Sequence, residues 1–153
     1  MNSVEIVPVY SDLTTRGRVV CDTVQKVLND LREKYRFDID NLTRDVTVFA
    51  LDQQIMPIAT SLYNTLYSHD VNVNFSILYL DQTKKDWGVT KRYLREEIFE
   101  TDSDILVMSS KYVSGIESSL MDFRHEFDRH GRMLYLDIYP PDSIHCVEID
   151  GLQ

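Results

Sequence analysis

Cysteine is scarce in this chain: Cys21 and Cys146 stand far apart and outside any CxxC pair. That excludes a disulfide framework and the common cysteine-based zinc sites. Glycine and proline are few as well, five and four residues. No Ser/Gly-rich, low-complexity or repeated stretch marks a linker, so the expectation is one domain over residues 1–153. No apolar run approaches the roughly 18–20 residues that span a bilayer. The opening MNSVEIVPVY lacks a basic start followed by an apolar stretch, the mark of a secretory signal. The expected setting is reducing and cytoplasmic, with no membrane partner.

Positive charge is also in short supply. Sixteen Lys and Arg face 25 Asp and Glu, a net charge of −9, which repels phosphate backbones. The densest basic stretch, Lys84, Lys85, Lys91, Arg92 and Arg95, is interrupted by Asp81, Asp86, Glu96 and Glu97. It reads as a solvated mixed-charge face, and a nucleic-acid partner is not expected. The four histidines are scattered. His125 and His130 are five apart, not the four of a zinc-binding helix, and read as surface residues.

Apolar residues make up 43% of the chain, and they alternate between helical and strand periods. Val4–Tyr10 reads as a short strand or extended lead-in. Ser11 caps a helix to about Tyr35 that carries Leu13, Val20, Val24, Val27, Leu28 and Leu31. Asp38–Arg44 is a polar loop, and DVTVFAL (45–51) is a strand of the continuous type buried in a parallel sheet. A helix over 55–68 follows, then a strand over 71–80 with Val71, Val73, Phe75, Ile77 and Tyr79 on one face. Asp81–Arg95 is polar, a mobile loop turning helical near Thr90, with Trp87 as a candidate lid or interface residue. DILVMS (104–109) is a second buried strand. Ser114–Gly115 opens a helix bearing Ile116, Leu120, Phe123 and Phe127, with Gly131 as its stop. RMLYLDIY (132–139) is a strand, Pro140–Pro141 a break and Ile144–Ile149 a short last strand. Strands alternating with helices predict an α/β domain with a mostly parallel twisted sheet flanked by helices.

Four segments, in order and nearly correctly spaced, give the chain a resemblance. LREKY before DVTVFAL is the first. LDQQIMPIATSLYNTL is similar to L-K-G-G/S followed by an apolar helix. DILVMSSKYVSGIESSL is similar to V-E/D-D-x-x-D-T/S-G-x-T-L. MLYLDIYPPDSIHCVEIDGL stands where a strand, a Lys-Pro and P-D-x-F-V-V-G-Y-G-L-D are placed. Together they resemble the hypoxanthine-guanine phosphoribosyltransferases over nearly the whole chain, with Asp81–Arg95 where that family carries its long flexible loop. The resemblance implies a phosphoribosyltransferase-like fold with a small C-terminal strand or hood element and homo-oligomers, dimers or tetramers. It also implies transfer of ribose 5-phosphate from phosphoribosyl pyrophosphate (PRPP) to a purine with Mg²⁺.

The residues that would carry that reaction are altered. Its oxocarbenium-like transition state needs a held 5′-phosphate, a Mg²⁺-bound pyrophosphate leaving group and a general base. Ser114 and Gly115 keep the turn of the phosphate loop, but Val113 occupies the general-base position and cannot take a proton. Glu117 puts an anion where the phosphate would lie. Like charges about 4 Å apart repel by about 4 kcal/mol at an effective dielectric of 20. Ser109 and Ser110 replace the acidic pair that holds the ribose. Asp52, Gln53 and Gln54 replace the pyrophosphate turn, losing its glycine. Tyr139 stands where the purine-recognising Lys would precede the Pro. Ile144 or His145 falls at the base-stacking position, and Asp150 is a weak match for the late metal ligand. The pattern points to a pseudoenzyme that needs no cofactor and binds a nucleotide, PRPP or a protein. The alternatives are an active purine phosphoribosyltransferase requiring Mg²⁺, or a generic doubly wound domain used for protein contact.

Overall fold

A computed structural model describes Ile6 and residues 15–77, 87–139 and 143–149. The elements run α1 (Thr15–Tyr35), β1 (Val46–Ala50), α2 (Met56–Ser68), β2 (Val73–Ile77), α3 (Trp87–Glu100), β3 (Asp104–Ser109), α4 (Ile116–Phe127), β4 (Met133–Tyr139) and β5 (Ser143–Glu148). The strands form one sheet in the order β2-β1-β3-β4-β5. β1 to β4 are parallel, and β5 returns antiparallel along β4. The chain is therefore an α/β protein with a mixed, mostly parallel sheet. The expected lead-in at Val4–Tyr10 (Ile6 apart), the Ser11 cap, the Pro140–Pro141 break and Asp150 lie outside the described residues. No helix among the described residues is long and apolar enough to cross a membrane.

Strand burial explains the architecture. β1 and β3 are buried at every position, as strands covered on both faces must be. Val46, Val48 and Ala50 point into one core with Leu106, Met108, Leu134 and Leu136, closed by α1 and α2. Phe49 and Leu51 point into a second with Ile105, Val107, Met133 and Tyr135, closed by α3 and α4. Crossovers between parallel strands keep one hand, so reversing the direction of travel across the sheet moves the helices to the opposite face. That reversal occurs between β1→β2 and β2→β3. It separates α2 from α3 and leaves the C-terminal ends of β1 and β3 side by side with their loops diverging.

α1 buries Val20, Val24, Val27, Leu28 and Leu31 along one stripe. It ends where Arg36 turns left-handed (φ 55°) and Phe37 N–H donates back six positions to Leu31 O at 2.9 Å, satisfying a carbonyl of the last turns. Arg132 then joins three elements. Its guanidinium donates to the carbonyls of Tyr35 and Arg36 and pairs with Glu148.

Two expectations need correction. Residues 87–100 form a full helix where a mobile loop turning helical near Thr90 was expected, so Trp87 opens α3 instead of lying in a loop. Thr90, Leu94 and Ile98, one turn apart, are the buried residues among its described side chains, a stripe too narrow to stand out among the charges around it. Nor does Gly131 end α4. The helix stops at Phe127 because Asp128 adopts a left-handed conformation (φ 49°) and its N–H returns to Arg124 O and His125 O. Gly131 is small for another reason, since a Cβ there would lie 2.6 Å from the carbonyl oxygen of Ser103.

Candidate functional site

In open α/β sheets the crevice at the carboxyl ends of the strands, where strand order reverses, is the natural ligand position. Here it lies between the β1–α2 loop (51–55) and the β3–α4 loop (110–115). Asp52 occupies it. The residue is 1% exposed. One carboxylate oxygen accepts the Ile55 N–H of its own loop at 2.9 Å, and the other accepts the Ser110 N–H of the opposite loop at 2.7 Å. The Ser110 hydroxyl also donates to Gln54 Oε1 at 3.3 Å. A single internal anion thus satisfies backbone donors from both walls, which is the role a phosphate oxygen would take in an open crevice.

The second loop is organised by Tyr135, fully buried on β4. Its phenol lies 2.8 Å from Ser109 Oγ and accepts the Val113 N–H at 3.1 Å. Ser109 Oγ donates to Lys111 O at 2.7 Å. Since that commits the serine proton, the phenol must donate to Ser109, giving a directed chain Val113 N–H → Tyr135 O–H → Ser109 O–H → Lys111 C=O. Burial pushes the Tyr135 phenol above its ordinary pKa, with the contacts to Ser109 and Val113 acting in the opposite direction, so it stays protonated as the chain requires. Val113, which the resemblance sets at the general-base position, turns its side chain into the second core. Gly115 takes φ +82° and is itself the N-cap of α4, with no side-chain cap bond. Ser114 is thus exposed beside the cap and not the cap itself.

Glu117 folds back onto the loop. The Tyr112 hydroxyl donates to its carboxylate at 2.9 Å. That hydrogen bond first, then desolvation and the carboxylate's charge, raises the Tyr112 pKa. The Tyr112 ring lies edge-on to Tyr135 at 6.0 Å and 6.4 Å from the His145 ring. His145 Nδ1 is 3.1 Å from Asp137 Oδ1 on the neighbouring strand.

The structure therefore gathers Asp52, Gln54, Ser109, Ser110 and Val113 at one crevice, with Gln53 exposed beside them and Ser114, Gly115, Glu117 and His145 along the rim. Ile144 is not among them, because it points to the opposite face of β5 and packs against the first core. The linking residues Tyr112, Tyr135 and Asp137 are ones that motif matching missed. Tyr135 and Asp137 alternate with leucine and isoleucine in MLYLDIY, and that alternation was the available signal. The crevice does not fit a Mg²⁺-pyrophosphate group: both Asp52 oxygens accept backbone N–H groups. Among the described residues no three His, Cys, Asp or Glu side chains converge for a metal. Comparison with protein-family models, curated proteins and solved structures finds no match.

Proposed function

We propose that this protein is a phosphoribosyltransferase-like pseudoenzyme, a cytoplasmic binding or regulatory protein that has given up transfer chemistry. One observation carries the reading. The Asp52 carboxylate bridges both loops of the strand-end crevice, occupying the Ile55 and Ser110 N–H groups with negative charge of its own. A phosphate or pyrophosphate entering there would have to displace a buried carboxylate that is already hydrogen-bonded, against like-charge repulsion. The committed hydroxyls of Ser109 and Ser110 and the apolar Val113 support the same reading, since none is free to hold a ribose or accept a proton. Cys21 and Cys146 form no disulfide, which is consistent with a reducing compartment. What is left for recognition is the rim, where Gln53, Gln54, Tyr112 and His145 are exposed, and the rest of the surface. The resemblance adds homo-oligomeric assembly to this proposal.

The test is a calorimetric titration of the full chain with PRPP plus Mg²⁺, beside GMP as a product-like ligand. The reading expects no saturable heat from PRPP. Saturable PRPP binding with turnover of hypoxanthine or guanine would overturn it in favour of an active purine phosphoribosyltransferase.

A further inference from the structure

On the helical face formed by α3 and α4, remote from the crevice, large apolar surface stays uncovered. Phe99 is 67% exposed near the C-terminus of α3. Its ring lies 5.1 Å from that of Phe127 on α4, and the two border a cleft of about 330 Å³ shared with Arg95, Glu96, Glu100 and Glu126. Arg95 is already spent within the cleft. It pairs with Glu126 through two hydrogen bonds, and its guanidinium sits 5.3 Å over the Phe127 ring. Arg95 and Glu126 thus cancel, leaving Glu96 and Glu100 with no ion pair among the described residues.

The local field reinforces this. The last turn of α3 contains no basic residue but holds Glu97 and Glu100, and carboxylates at a helix C-terminus oppose the macrodipole. Arg129 relieves part of the strain by donating to the carbonyls of Ile98 and Thr101. It lies on the inner side of the turn, and the outer carboxylates stay uncompensated. An exposed aromatic beside a cleft is the form of an interface anchor. The acidic rim specifies the charge of what would cover it.

We propose that this face docks a basic segment of a partner protein, an amphipathic stretch that places an aliphatic side chain in the cleft and Lys or Arg against Glu96 and Glu100. A partner arginine stacked on Phe99 would repeat the contact that Arg95 makes with Phe127. Charge argues against the other occupants. A second copy meeting the same face across a two-fold axis would set this acidic rim against itself. Nucleic acid and anionic membranes are repelled by the same carboxylates and by the net charge of −9. The inference rests on the α3–α4 face alone and holds whether or not the crevice binds PRPP.

The test is fluorescence anisotropy of the full chain with a short labelled peptide alternating lysine/arginine pairs with leucines at helical spacing. Two control peptides accompany it, one with the leucines replaced by serine and one with the basic residues replaced by glutamate. The wild-type chain is expected to bind the first peptide saturably and the controls at least about tenfold more weakly. Phe99→Ser should weaken binding about tenfold. The double variant Glu96→Lys/Glu100→Lys should do likewise and flatten the salt dependence. Tyr139→Ser, on an exposed residue at the end of β4, should change nothing. Circular dichroism melts would establish that each variant folds. Absence of saturable binding, equal binding of the serine-substituted peptide, or full affinity in both α3 variants would overturn the proposal. So would a wild-type dimer in sedimentation equilibrium that Phe99→Ser dissolves, because the face would then belong to self-association.

Discussion

Replacing Asp52 with alanine removes the acceptor for two buried backbone N–H groups at once. Each donor left without a partner costs about 1–3 kcal/mol. The loss is offset in part because a buried carboxylate no longer has to be kept from water. The expected net destabilisation is about 2–4 kcal/mol. For a protein of this size that lowers the melting temperature by about 4–16 °C, at roughly 2–4 °C per kcal/mol. In urea, with a slope of about 2 kcal/mol per molar, the midpoint falls by about 1–2 M. Asp52→Asn keeps one carbonyl oxygen but points an amide donor at the second N–H, and should lose about half as much. Asp52→Gly goes further, opening a small anion-sized gap lined by the two freed donors. Formate or acetate should then restore part of the lost stability, by about 1.4 kcal/mol at ten times its Kd, while leaving the wild type unchanged. Urea denaturation of the four proteins with and without formate, at matched ionic strength, measures all of this. An Asp52→Ala variant within about 0.5 kcal/mol of wild type, the spread of ordinary surface changes, would refute the claim that the carboxylate holds the crevice together. Destabilisation without formate rescue would refute the narrower claim that it stands in for a bound anion.

Two further outcomes follow from the buried polar groups. Tyr135→Phe keeps the ring but removes the hydroxyl that accepts the Val113 N–H and donates to Ser109; it should cost about 1–3 kcal/mol in urea unfolding and speed amide exchange at Val113. Burial pushes the Cys146 thiol from 9.0 to about 12, so its contribution to stability is complete below pH 9 and is lost as pH rises through about 12. The unfolding midpoint should fall across that alkaline range, and Cys146→Ala should flatten the fall; an unchanged slope in the variant would assign the alkaline loss to Tyr35 and Tyr135, whose pKa values are also raised by burial.

The two central strands were readable from the sequence because burial on both faces demands an unbroken apolar run, as DVTVFAL and DILVMS supply. α2 and α4 were readable from their stripes. α3 was not, because among its described side chains only Thr90, Leu94 and Ile98 are buried, and charged or exposed aromatic residues fill the other positions from Lys91 to Glu100. The edge strand β2 begins two residues later than its alternation suggests, with Val71 and Asn72 outside the paired residues Val73–Ile77, and residues 78–80 lie outside the described residues. At the crevice, motif spacing located both loops, yet it could not tell which way Asp52 points. A carboxylate after a strand is usually solvated. Whether it turns inward depends on two N–H groups becoming its partners, one of them 58 residues away in sequence. Glu117 presented the same ambiguity, settled by the hydroxyl of Tyr112.

A crevice flanked by two loop backbones has donors that need an acceptor when the protein is folded and empty. A ligand-binding protein leaves them to water and recovers their hydrogen bonds on binding, accepting a less stable empty state. Asp52 reverses that arrangement. With the acceptor built into the chain, the empty state is the satisfied one, and a ligand gains only what it can offer beyond the carboxylate it displaces. Stability and affinity for an anion at this position are therefore opposed, and every substitution that frees the Ile55 and Ser110 N–H groups should move the two in opposite directions. Replacing Asp52 alone would still not equip the crevice for the transfer chemistry that the resemblance implies. Val113 remains without a proton acceptor, and the hydroxyls of Ser109 and Ser110 remain committed to Lys111 and Gln54. The crevice is closed by several groups acting together, which places the contacts available for recognition on the outer surface, where the exposed aromatics of the α3–α4 face and the loop rim lie.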